Sequence, residues 1–173
     1  MKKQLVILSK ESLKLMYLME NKKVSLQTMK EDQLDYIYAL HGGMLIPAFA
    51  ICDQIKCSET PVWIYASGEA CSAGFLILVC GDRRMAYENA SIMYHQLSWR
   101  SDYDKVRTID EHNEQVKKDQ EKLEKFVLDN TKITKDQLEH INERKQDWWM
   151  DAKEALKLGV IDEIIKPRKN TKR

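Results

Sequence analysis

Short apolar segments that run into glycine and then into helical spacing recur along the first hundred residues, and this alternation constrains the fold most tightly. Asp35-Tyr36-Ile37-Tyr38-Ala39-Leu40 reads as a strand and leads through His41 into Gly42-Gly43. A helix is expected next, with Leu45, Phe49, Cys52 and Ile55 on one face. Pro47 falls in its first turn, where a missing N–H costs little. Pro61 to Ala66 reads as a second strand, followed by Gly68. Ser72 to Cys80 then reads as a buried helix stopped at Gly81. Arg84–Tyr87 and Ser91–Tyr94 read as two more short strands. Upstream, Leu5–Leu8 is a short strand-like run, and Ser9 and Ser12 offer caps for a helix through Leu13, Met16, Tyr17 and Met19. This order implies an α/β domain with a largely parallel sheet.

The second half changes character. From Asp102 to about Asn130 the chain is highly charged and has no breaker; Val106, Ile109, Val116, Leu123, Phe126 and Val127 form a sparse apolar stripe. A long, amphipathic, mostly solvated helix is expected. Thr134-Lys135-Asp136-Gln137 is a capping box opening a helix with Leu138 and Ile141. Asp151 caps another, which carries Ala155, Leu156 and Leu158 and stops at Gly159. Val160–Ile165 reads as a last strand. One domain over 1–173 is expected, with a head from about 1–100 and 146–165, a helical projection over 101–145, and a basic, solvated tail over 166–173.

Charge excludes some function classes. Lys+Arg is 28 against 27 Asp+Glu, which leaves no electrostatic footprint for nucleic acid. Cys52, Cys57, Cys71 and Cys80 match no zinc or CxxC spacing, so four reduced thiols in a cytoplasmic protein are expected. The apolar core near the start, Leu5–Leu8, is too short for a signal peptide, and no run reaches membrane-spanning length. Neither a metal nor a cofactor site is expected, and no P-loop is present.

The chemistry concentrates around Gly68-Glu69-Ala70-Cys71-Ser72-Ala73-Gly74. A nucleophile between a strand and a helix exposes its side chain, and N–H groups at the helix start can hold an oxyanion. Serine there is also an ordinary cap. His95 ends a strand and can take a proton from serine; His41 is the second choice, and His112 and His140 fall in charged helices. Asp147 precedes Trp148-Trp149, and aromatics can shield a carboxylate that orients histidine; Asp151 is the rival, already explained as a cap. The N–H groups of Gly43 and Ala73 are candidates for an oxyanion hole. A base must be neutral to accept a proton, so activity is expected to rise through roughly pH 6 to 8.

Four blocks in this order resemble the proteolytic subunit of the Clp protease: Gly42-Gly43 through Cys52-Asp53, the Ser72 block, Ile92-Met93-Tyr94-His95-Gln96, and Asp147 through Ala155 continuing to Asp162. The resemblance covers about residues 35–165. It implies a ClpP/crotonase-type fold of stacked ββα units with a long projecting handle helix, and a catalytic triad of Ser72, His95 and Asp147. It further implies homo-oligomeric rings, heptameric and stacked in pairs, that take unfolded proteins from an AAA+ unfoldase. ATP would be used by that partner, not by this chain. The sequence departs from the family at Leu40-His41, where Ser-Pro is usual, and at Ala73, where Met is usual; almost no axial segment is expected before the first strand-like run at Leu5–Leu8. The alternatives are a non-catalytic ring subunit, a crotonase-like acyl-CoA enzyme, and a viral maturation protease or signal-peptide-peptidase relative.

Overall fold

The computed structural model describes residues 24–30, 33–40, 42–98 and 106–167, with side chains over 42–98 and 113–167. The expected strand at Leu5–Leu8, the helix through Met19, and His41 lie outside them. Strands β1 (Val24–Lys30) and β2 (Gln33–Leu40) form an antiparallel hairpin with Lys30 opposite Gln33. Helix α1 (Leu45–Lys56) carries the chain to β3 (Val62–Cys71), which lies parallel to β2. Helix α2 (Ala73–Cys80) leads to β4 (Arg83–Tyr87) and β5 (Ser91–Tyr94), both parallel to β3. Helices α3 (Val106–Asn130) and α4 (Lys135–Glu143) follow. Strand β6 (Trp148–Met150) returns antiparallel to β5, and α5 (Ala152–Lys157) precedes β7 (Glu163–Ile165), parallel to β4. The sheet order is β1-β2-β3-β4-β7, with β5 and then β6 branching from β3.

The branch originates in β3. Sequence reading ended this strand at Ala66, but it runs to Cys71. Its first half, Trp63–Ala66, pairs with Arg83–Ala86 of β4; its second half, Glu69–Cys71, pairs with Ser91–Met93 of β5. Gly68 lies between them with φ +85, and the register against β2 shifts there, from Tyr38 opposite Ala66 to Leu40 opposite Ala70. The glycine therefore marks a bulge that re-aims the strand, not its end.

Helix α2 is apolar throughout and buried along its whole length, as a helix between a sheet and a second helix layer must be. Cys52 of α1 reaches it, its Sγ 3.5 Å from the Leu76 carbonyl. The expectation of a glycine stop at Gly81 needs a different reason. Its φ is −65, which any residue adopts, but a Cβ there would meet Ile64 Cγ1 at 2.8 Å. Glycine is required for close packing at that position.

The C-terminal half of α3 closes the core. Leu123 and Val127 are buried, and Phe126 meets Phe49 of α1 edge-on at 5.4 Å between ring centroids. Most of the stretch 113–119 is exposed, as the sparse stripe requires. The Thr134–Gln137 capping box forms as expected, and the Asp151 carboxylate accepts from the N–H groups of Lys153 and Glu154 at 2.8 Å each. The last strand is shorter than expected: Val160 and Ile161 are buried in the turn after Gly159, whose φ is +67. Among the described residues no helix is long and apolar enough to cross a membrane.

Candidate active site

Ser72 joins the re-aimed end of β3 to α2. It holds φ 54 and ψ −117, a conformation that costs a non-glycine residue about 1–3 kcal/mol. Among the described residues only Lys145 shares a positive φ without being glycine. The Ser72 N–H donates to the Met93 carbonyl at 2.9 Å, tying the turn to β5. Ser72 occupies the N-cap of α2, yet its side chain makes no capping bond. The capping explanation for this serine therefore fails, and its hydroxyl is left for other use. Ala73 opens the helix, where backbone N–H groups lack intrahelical acceptors and the dipole favours negative charge.

The β2–α1 loop passes directly over this turn. Gly42 has φ +140, and a Cβ on it would stand 3.3 Å from Ser72 Cβ and 3.7 Å from its Oγ. The sequence marked the glycine pair as suited to close approach; the structure assigns that role to Gly42 and leaves Gly43 facing the cavity.

That cavity has a volume of about 260 Å³ and is lined by Ser72, Ala73, Gly43 and His95, with Leu45, Leu76, Leu97 and Leu123 as apolar wall. His95 reaches it because β3 and β5 lie side by side, with Cys71 opposite Met93, so the two strands deliver Ser72 and His95 from neighbouring ends. His95 is half-buried, and its Nδ1 contacts the Gln96 carbonyl. Preceding it, Tyr94 is buried with its ring edge-on to Phe75 and its hydroxyl donating to Asn142 Oδ1 at 3.4 Å. Burial pushes the Tyr94 phenol up to about 12, against the opposing pull of Asn142 and Gln120.

Asp147 stands next in register but makes no hydrogen bond to His95. The β5–β6 ladder pairs Ile92 with Met150, Met93 with Trp149 and Tyr94 with Trp148. One further step along that register falls on His95 and Asp147. Asp147 nevertheless lies outside the cavity lining, is exposed, and makes no hydrogen bond to His95. The expected shielding by tryptophan is thus not found. Alternation along β6 explains why: Asp147 shares a face with Trp149, itself 49% exposed, while Met150 on the other face is buried. Trp148 turns its Nε1 to Glu154 Oε1 at 3.1 Å.

The rival residues are elsewhere. Asp151 is occupied as the α5 cap, and His140 is exposed on α4. Sequence reading missed the leucine wall and Tyr94, for which the only signal was their place on otherwise core-facing elements. Among the described residues no group of three or more His, Cys, Asp or Glu could hold a metal ion.

The chain matches the family model for Clp protease over residues 3–168. It is 31% identical over 130 residues to ATP-dependent Clp protease proteolytic subunit 2 of Treponema pallidum, covering 73% of this chain and 63% of that protein. It is 32% identical over 127 residues to ATP-dependent Clp protease proteolytic subunit 1 of Chlamydia muridarum, covering 72% of this chain and 65% of that one. The chain thus spans a little under two thirds of the length of these relatives. A solved mutant ClpP1 from Listeria monocytogenes superposes with a TM-score of 0.71 at 21% identity, over 92% of this chain and 84% of the other. That likeness carries the fold, and the ClpP-type architecture expected from the sequence is the one observed. With the family match running over nearly its whole length, this chain belongs to the Clp protease family.

Proposed function

We propose that this chain is a Clp-type serine endopeptidase subunit in which Ser72 is the nucleophile, His95 the general base and Asp147 the acid that orients it. One observation carries the reading: a strained, non-capping serine at a helix start shares a cavity with a strand-end histidine and a glycine loop. Ser72 Oγ attacks the scissile carbonyl while His95 takes its proton. The N–H groups of Gly43 and Ala73 face the oxyanion that forms. His95 then returns the proton to the leaving amine, and water hydrolyses the acyl-enzyme by the same steps in reverse. In this reading Asp147 reaches His95 by a movement of the β5–β6 ends, supported by a ladder whose last pair, Tyr94 with Trp148, is one step short of the two. The same reading has the subunits form heptameric rings around a chamber. An AAA+ unfoldase supplies unfolded substrate and consumes the ATP.

A second reading is a non-catalytic ring subunit. The contact of His95 Nδ1 with Gln96 and the exposure of Asp147 favour it. Hydrolysis of short fluorogenic peptides separates the two. Ser72→Ala is expected to lower turnover by about three orders of magnitude or more with assembly and melting unchanged. Equal turnover by wild type and Ser72→Ala would remove the peptidase reading.

A further inference from the structure

The segment that carries His95 has no strand partner after Tyr94, yet one flank is fastened to the long helix α3 and the other to α4. The Leu97 N–H donates to Gln120 Oε1 at 2.7 Å. Gln120 Nε2 donates to Glu124 Oε1, one turn along α3, at 2.7 Å. Asn142 Nδ2, from α4, donates to the same Glu124 oxygen at 2.7 Å, and Asn142 Oδ1 accepts from the Tyr94 hydroxyl at 3.4 Å. Tyr94 and Leu97 bracket His95 and Gln96. All four network side chains are at least half-buried.

We propose that Gln120, Glu124 and Asn142 form a clamp that positions His95, with Glu124 as its keystone. The proposal rests on the peptidase reading and adds to it a set of residues that touch no reacting atom. Glu124 has the right chemistry for the centre. An ionised carboxylate accepts two amide donors on one oxygen, and charge-assisted bonds are roughly twice as strong as neutral ones. Each amide is thereby oriented: with its NH2 on Glu124, Gln120 must present oxygen to Leu97, and Asn142 must present oxygen to Tyr94. A bond joining only α3 to α4 would explain the Asn142–Glu124 contact. It leaves the Leu97–Gln120 bond unexplained. That bond matters because a base must stay within hydrogen-bond reach of its proton, and displacement by about 1 Å costs on the order of a hundredfold in rate.

The test compares Glu124→Leu, Gln120→Leu and Glu124→Gln in the full chain. Short-peptide kinetics, fluorophosphonate labelling of Ser72, melting, and hydrogen exchange at the Leu97 amide are followed together. Glu124→Leu and Gln120→Leu are expected to lower kcat and the labelling rate about 10- to 100-fold, with KM within about twofold and faster Leu97 exchange. Glu124→Gln keeps the accepting oxygen and is expected to recover most of both. A purely structural role would lower the melting temperature alone. Wild-type turnover in folded Gln120→Leu, or unchanged Leu97 exchange in it, would overturn the clamp. Failure of wild type to label at Ser72 would instead overturn the peptidase reading and with it the catalytic role of the clamp; Leu97 exchange would still report whether the clamp holds the segment.

Discussion

Ser72 and the two glycines near it illustrate how single residues set the site. Ser72 is held at φ 54 because the re-aimed end of β3 pairs with β5 up to Cys71 and α2 must start at once. Gly42 lets the facing loop approach within van der Waals distance of that serine. Gly42→Ala is expected to reduce turnover at least tenfold and stability by about 1–3 kcal/mol, because φ of +140 strains alanine and its Cβ would crowd Ser72 Cβ at 3.3 Å. Turnover and denaturant melts of the same sample check this. Gly81→Ala carries the packing cost alone: about 1–3 kcal/mol from the clash with Ile64, with turnover of the folded protein unchanged. The sequence made Ser72, His95 and the glycine pair legible because each sits where a strand meets a turn. It misled on the surroundings of Asp147, since adjacency to two tryptophans does not say which face of a strand is buried.

At the scale of elements, a charged tie holds the sheet to the end of the long helix. Arg84 donates from its backbone N–H at 2.8 Å and its Nη2 at 2.6 Å to Asp162, and from Nη1 to the Asn130 carbonyl at 2.6 Å. A cation on the last carbonyls of a helix complements its dipole. Burial pushes the Asp162 carboxyl up, but the hydrogen bonds and charge of Arg84 outweigh it and hold it below its usual value. The sign follows from that lowering. The stabilisation is present above the unfolded carboxylate value, near about 3.9, and is lost as pH falls through the lower folded value. Asp162→Asn is therefore expected to flatten the decline of stability on the acid side, measured by denaturant melts between about pH 5 and 2. A decline as steep as wild type would mean that this carboxylate does not contribute. Element order was readable because helical spacing and capping residues are local signals, as Thr134 and Asp151 show. The three-residue β6 and the true end of β3 were not, because they depend on which partner strand lies alongside.

At the scale of the molecule, one core runs from α1, β3 and α2 through β5 to α3, α4 and α5, and Tyr94 stands in it. Its raised phenol means that stability is complete below the unfolded value, about 10, and falls as pH rises through about 12. Tyr94→Phe is expected to remove this alkaline loss, seen as a shallower fall in melting temperature above about pH 10. An equally steep fall would assign it to other groups. The fold class was legible as a whole because strand and helix alternate over the first hundred residues, while the cavity was not, because its leucine wall comes from α1, α2, α3 and the loop after β5. The central claim is that Ser72 is an activated nucleophile. Reaction of folded wild type and Ser72→Ala with a fluorophosphonate probe, followed by mass mapping of the adduct, tests it most directly. The account predicts a single adduct on Ser72 in wild type and none in the variant. Folded wild type that takes up no probe, or equal uptake after Ser72→Ala, would contradict it.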